Sequence, residues 1–308
     1  MTTESTTAPL IPDSGSSAVS GRPARLAALA AGVTVVLWAS AFVGIRSAGH
    51  DLSAGPLALL RLVVGTAALG AMTLLRREAW PSRQDLPRIL LIGVLWFGAY
   101  NLMLNTAEQR VDAGTASMLV NVSPILIAVI AGLALKEGLP KSLLLGVTVS
   151  FSGVLVIGFG SAEHGRTDWL GAALCVGSAV VYATSVILQK PMLSRVSPLP
   201  LTFLACAVGM IVCLPFGPQL FDELPKAHTS GIVWTVYLGL MPTAVAFTTW
   251  GYALARTKAG KLGATTYLVP PISILLGWLM LGETPTWVAV GGGVLCLGGV
   301  AVSRFTRR

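Results

Sequence analysis

Charge is the scarcest thing in this 308-residue chain. Only 11% of its residues are charged, where soluble domains carry about 25%, and 54% are hydrophobic. A soluble protein is excluded, and no stretch is left for a soluble catalytic domain. Histidine is nearly absent as well. His50, His164 and His228 all lie between apolar runs. No HExxH occurs, and no pair of carboxylates falls within a run. The residue types for metal or acid–base chemistry inside a membrane are missing, so no metal, no cofactor and no enzyme are expected. Cysteine is sparse: Cys175, Cys206, Cys213 and Cys296 all fall in apolar runs. Cys206 and Cys213 are separated by about 10 Å of helical rise, too far for a disulfide, and the four read as small packing residues. Residues 1–23 have few large apolar side chains and read as a disordered cytoplasmic tail. They lack the apolar core of a signal peptide, so the first span itself must direct insertion.

What is present is apolar sequence in ten runs, each near the roughly 20 residues that cross a bilayer. They cover about Leu26–Ile45, Pro56–Leu75, Ile89–Asn105, Ala113–Leu135, Ser142–Gly160, Trp169–Leu188, Leu199–Phe216, Gly231–Ala255, Ala259–Leu281 and Thr286–Val302. The expected fold is an all-α polytopic membrane protein of ten transmembrane helices. The net charge of +8 does not point to nucleic acid, because the basic residues lie between runs and set topology. With the N-terminus cytoplasmic, sixteen Lys and Arg fall on inside segments and four on outside ones. Both termini are therefore expected in the cytoplasm.

The chain also repeats itself. Adding 146 to Ala107, Arg110, Gly114, Pro124 and Glu137 gives Ala253, Arg256, Gly260, Pro270 and Glu283. In the first helices of each half the offset is 144: Trp38 meets Tyr182, Arg46 meets Lys190, Pro56 meets Pro200 and Gly65 meets Gly209. The chain divides into 24–160 and 161–308, five runs each. Five is odd, so the second half enters the membrane from the opposite side, which makes an inverted repeat. Pro124 and Pro270 fall near mid-span, where proline frees the carbonyl four residues back, Val120 or Thr266. Such helix breaks at matching places in two halves point to a transporter's binding site. Glu137 and Glu283 each precede the next helix and are expected to favour the positive end of its dipole.

The stretches LWASAFVGIR and PLALLRL, and the paired endings SPILIAVIAGLALKE and VPPISILLGWLMLGE, resemble the drug/metabolite transporter superfamily, EamA type. The resemblance covers about residues 26–304. It implies ten helices in two inverted five-helix repeats, a central cavity, and export of amino acids, metabolites or toxic compounds across a bacterial inner membrane. An intramembrane enzyme and a non-transporting membrane partner or sensor are the alternatives. No Asp or Glu stands at mid-run; Glu108, at the outer end of the third, comes nearest. Facilitated export is therefore expected, or coupling through a tyrosine or a rim carboxylate.

The expected substrate site draws on polar and aromatic residues near mid-span: Trp38, Tyr100, Asn101, Asn121, Ser123, Tyr182, Ser185, Trp250 and Tyr267, beside Pro124 and Pro270. Ser40, Asn105, Thr184, Thr265 and Thr266 are further candidates. Asparagine is costly in hydrocarbon and should face the bundle interior. Aromatic rings with a few amides suit a small amphiphilic or zwitterionic solute. Arg61 is the one basic residue within a run. It can contact substrate, or snorkel to the outer interface from its place five residues after Pro56. The glycines at 291–293, 298 and 299 allow close helix approach, for internal packing or for a homo-oligomer face.

Overall fold

The computed structural model describes residues 21–134, 169–257, 262–283 and 286–305, with isolated positions between 145 and 156. Glu137, His164, most of the fifth run and the tail to residue 20 lie outside the described residues. Among the described residues the chain is all helical. The helices are α1 (Gly21–Ala48), α2 (Ala54–Arg76), α3 (Leu86–Glu108), α4 (Ala113–Val120) and α5 (Ser123–Ala134). Then follow α6 (Trp169–Gln189), α7 (Pro198–Cys213), α8 (Gly217–Glu223), α9 (Thr229–Arg256), α10 (Val269–Leu281) and α11 (Trp287–Phe305). Six stretches are long and apolar enough to cross a bilayer: α1, α2, α3, α6, α7 with α8, and α9. Shorter apolar helices cover Ala113–Ile127, Thr265–Leu281 and Val290–Gly299. This is a multi-pass membrane fold.

Contacts in one half recur in the other at the offsets read from the sequence. Both third spans loosen into a π-helical turn, Gly93–Ala99 in α3 and Gly239–Val245 in α9. Each turn begins on a glycine against which a helix of the other half is pressed. A Cβ on Gly239 would lie 2.7 Å from the Arg61 carbonyl oxygen and 2.7 Å from Val64 Cβ of α2. A Cβ on Gly93 would lie 2.7 Å from the Ala205 carbonyl oxygen and 2.5 Å from Val208 Cβ of α7. Positions 61 and 205, and 64 and 208, are repeat partners. Only glycine permits this approach. Thr66 Oγ1 adds a hydrogen bond across the α2–α7 contact to Cys206 Sγ at 3.3 Å, so the two second helices also pack on each other.

Basic residues close the third spans in the same paired way. Arg46 Nη1 donates to the Glu108 carbonyl at 2.8 Å. Its repeat partner Lys190 donates through Nζ to the Leu254 carbonyl at 2.6 Å. Each cation sits on the carbonyl end of a helix, where the dipole favours it. The glycines of α11 divide the roles left open by the sequence. A Cβ on Gly293 would strike Met118 of α4, whereas Gly291 and Gly298 have open space around them.

The loops between first and second spans are pinned by charge. Asp85, just before α3, accepts from Arg195 Nη2 at 2.6 Å and from Ser82 Oγ at 2.7 Å. Asp51 meets His228 Nδ1, just before α9, at 2.6 Å. The Ser82 and Arg195 bonds hold the Asp85 carboxyl below its ordinary range, as the His228 bond does for Asp51. A carboxyl lowered by folding stabilises above its unfolded value, about 3.9, and loses that stabilisation as pH falls through the lower folded value. Asp85→Asn is therefore expected to melt earlier than the parent in detergent at pH 7. The gap in melting temperature should close as pH drops below about 4. A gap that stayed constant down to the acid limit would show that the charge is not what holds this loop.

Candidate functional site

The prolines start helices here instead of interrupting them. The fourth span stops at Val120, turns at Asn121 and Val122, and resumes at Ser123 with Pro124 in the first turn of α5. The ninth apolar run winds as a 3₁₀ turn, Ala264–Leu268, before α10 begins with Pro270 in its first turn. Proline is at home there, because its missing N–H would have no helical acceptor. The carbonyl expected to be freed, that of Thr266, has found donors. It accepts from Asn121 Nδ2 at 3.0 Å and from the Val269 N–H. The side chain at one break thus satisfies the backbone at the other, and the two breaks meet in the buried interior.

Beside them lies a small cavity between the halves. α1 contributes Trp38, Ala41, Phe42 and Ile45; α2 contributes Arg61; α3 contributes Trp96, Tyr100 and Leu104. Val120, Asn121 and Ser123 come from the first break, Thr266 and Val269 from the second, Tyr182 from α6 and Phe247 from α9. Trp38 and Tyr182, which are repeat partners, touch edge-on with ring centroids 5.9 Å apart. Trp96 packs on Tyr182 at 5.3 Å and on Phe247 at 5.0 Å. Space for water amounts to about 50 Å³, against the ~10–15 Å³ that one water needs. That admits a few waters. Pockets for small organic ligands run to roughly 300–1,000 Å³, so the aromatic walls must part before a solute can enter. The conformation is closed.

Five of the nine expected site residues line this cavity: Trp38, Tyr100, Asn121, Ser123 and Tyr182. The other four do not. Asn101 turns its amide onto the Phe97 carbonyl of the π-helical turn at 2.8 Å. Ser185 donates to Val181 on its own helix at 2.8 Å. Trp250 backs Trp38 at 4.9 Å as a second layer, fully buried. Tyr267 lies outside the lining, which its neighbour Thr266 joins instead. Among the further candidates, Ser40 bonds Tyr237 and Asn105 ties α3 to the Ala54 carbonyl. Thr184 and Thr265 bond their own helices. Each satisfies a polar group within the bundle, as buried polar groups in general do. Trp96 and Phe247 were missed because a lone aromatic in an apolar run carries no mark of which way it faces.

Three charged residues surround the site. Arg61 does not snorkel. It is 3% exposed, donates through Nε to Thr243 Oγ1 at 2.8 Å, and faces the cavity with Nη1 unbonded. The π-helical turn of α9 supplies Thr243, and the close approach at Gly239 brings that turn against α2. Glu283 reaches back to the first half of the chain. Gly282, at φ 67°, ends α10 in a left-handed cap, with the Glu283 N–H bonded back to the Gly277 carbonyl. That turn aims the carboxylate at Arg46, whose Nε lies 2.7 Å from Oε1, and at the first amide of α4, Ala113 N, 3.5 Å from Oε2. Glu108 is 1% exposed and neither carboxyl oxygen has a donor. It borders a second space of about 150 Å³ with Arg46, Gly49, His50 and Gln109.

Spanning helices in two similar halves, broken where they meet and closed around a polar-tagged aromatic cavity, define a membrane transporter. The chain belongs to the EamA-like transporter family, whose sequence pattern matches it twice, over residues 25–159 and 169–305. It is 35% identical over 270 residues to a protein of Streptantibioticus cattleyicolor named a probable terminal-alkyne amino-acid exporter, covering 87% of this chain and 90% of that one. An uncharacterized transporter of Bacillus subtilis is 34% identical, covering 86% of each chain. A probable amino-acid metabolite efflux pump of Escherichia coli is 23% identical, covering 90% and 94%. One solved structure aligns with 92% of this chain and 99% of its own at a TM-score of 0.64 and 19% identity, which speaks to the fold alone.

Proposed function

We propose that this transporter exports a small amphiphilic or zwitterionic solute, of the amino-acid or metabolite class, by alternating access between two inverted five-helix halves. The observation that carries the reading is the meeting of repeat partners at a closed cavity. Trp38 and Tyr182 touch there, and Asn121 bonds the Thr266 carbonyl across the two breaks. A cavity on a pseudo-two-fold axis can open to either side by equivalent movements of equivalent halves. The names of the relatives support the solute class. The basic residues support cytoplasmic termini in a bacterial inner membrane, and an active reporter at Arg308 on the outer face would overturn that orientation.

Counterflow in proteoliposomes holding only the purified protein tests the function. Apolar amino acids, nucleosides and cationic drugs form the panel. Exchange is expected for the amino acids. Trp38→Ala should reduce it by roughly tenfold or more, since a cavity-lining aromatic contributes a few kcal/mol of contact. Ser185→Ala, whose hydroxyl serves its own helix, should stay near parental flux. Absence of exchange for every solute would reject transport of these classes. Equal flux in Trp38→Ala and parent, at equal folded yield, would reject this cavity.

A further inference from the structure

Three buried polar atoms without a partner border the central cavity: Arg61 Nη1, Asn121 Oδ1 and the Tyr182 hydroxyl. Buried polar groups are normally bonded, because leaving one unmet costs free energy. Here the three belong to one space, and they divide by chemistry. Arg61 Nη1 can only donate, and the guanidinium keeps its charge. Asn121 Oδ1 can only accept, and the bond from Nδ2 of the same amide to the Thr266 carbonyl fixes its orientation. The Tyr182 hydroxyl can do either. The remaining wall is ring faces and aliphatic carbon.

We propose that Arg61 is the anchor for a solute carboxylate, with Asn121 Oδ1 and the ring faces of Trp38, Tyr100 and Tyr182 receiving the ammonium group. The ligand class is an α-amino acid with an apolar side chain. The repeat strengthens the assignment. The contacts around position 61 recur around 205, carbonyl oxygen on glycine included, yet position 205 is alanine. Packing at this crossing thus proceeds without a cation in the second half. The charge is an addition to the scaffold on one side of the axis. Nε is committed to Thr243, which fixes the plane of the guanidinium and leaves Nη1 for the ligand. Glu108 is the other carboxyl in electrostatic reach of Arg61. It lies one helical turn beyond Leu104, outside the cavity lining, and does not occupy the donor. A carboxylate and an ammonium placed together leave no net charge to carry through the closed state.

The inference rests on the transport reading, and the test separates the two. Counterflow of radiolabelled leucine is competed with leucine, leucine methyl ester and isoamylamine, which lacks the carboxyl. In the parent, leucine should compete roughly ten- to a hundredfold better than either analogue, the range for a lost charged hydrogen bond. Arg61→Gln should erase that preference by weakening leucine alone. Arg61→Lys should keep part of it. If acid, ester and amine compete equally in the parent, the anchor is rejected whether or not the variant folds. If Arg61→Gln weakens all three alike, Arg61 is structural and the proposal falls. Exchange of the ester or amine without leucine would leave the transport reading standing and reject the anchor. Exchange of none of the three would reject transport of this class, and the anchor with it.

Discussion

Gly239→Leu is expected to reduce recovery of folded protein by at least about tenfold, with Gly93→Leu matching it and Gly32→Leu showing no effect. A side chain at 239 would begin 2.7 Å from a backbone oxygen of α2, and one at 93 would begin 2.7 Å from a backbone oxygen of α7. Backbone cannot rotate aside as a flexible side chain can. Overpacking in a tight contact costs roughly 1–3 kcal/mol, and moving a helix off its crossing costs more. Gly32 has nothing within 4 Å, so leucine there adds only an exposed apolar group. Size-exclusion recovery of the three variants after detergent extraction is the measurement. A monodisperse Gly239→Leu at parental yield would show that α2 and α9 do not cross as described.

Glu283→Gln should open the bundle at the Arg46 end. The carboxylate holds Arg46 at 2.7 Å and lies at the start of α4. Arg46 also bonds the carbonyl end of α3. Four elements are therefore tied at one place. The pair is about one-quarter exposed on each side, at 26% and 24%, so its Coulomb energy is partly screened and worth about 1 kcal/mol. With the helix-end bonds that depend on it, a population shift of roughly tenfold is expected. Ile45, 1% exposed and next to Arg46, provides the reporter. With the native cysteines replaced, Ile45→Cys should react with a membrane-impermeant thiol reagent about tenfold faster in Glu283→Gln than in the parent. Unchanged labelling would mean that the aromatic wall, and not this ion pair, keeps this end shut.

The same two places show where the reading of residues succeeded and where it stopped. The partnership of Arg46 with Lys190 was legible as an offset of 144, and in the structure both cap the third span of their half. The prolines were legible as breaks, because proline cannot donate and cannot hide that in an apolar run. Glu283 was legible only as a carboxylate before a helix. Its turn is set by Gly282, but the element waiting at the end of that turn came from the far end of α1. Asn101 and Arg61 make the contrast sharpest. The amide looked like a ligand group, and a carbonyl four residues upstream, in the π-helical turn, took it. The guanidinium looked close enough to the interface to reach water. The crossing at Gly239 buried it against Thr243.

Composition, the spacing of charge and the internal offsets determined that this chain crosses a membrane, repeats itself and breaks its helices in pairs. Those properties are local or periodic, so a single strand of letters carries them. Which side chains share a cavity was decided by how α2 meets α9 and α7 meets α3, and by how far each helix is rotated there. A rotation of one residue is about 100°, enough to carry a side chain from cavity to lipid. Long-range packing of glycine on carbonyl set those rotations. It left Arg61 Nη1 and Asn121 Oδ1 facing the same small space.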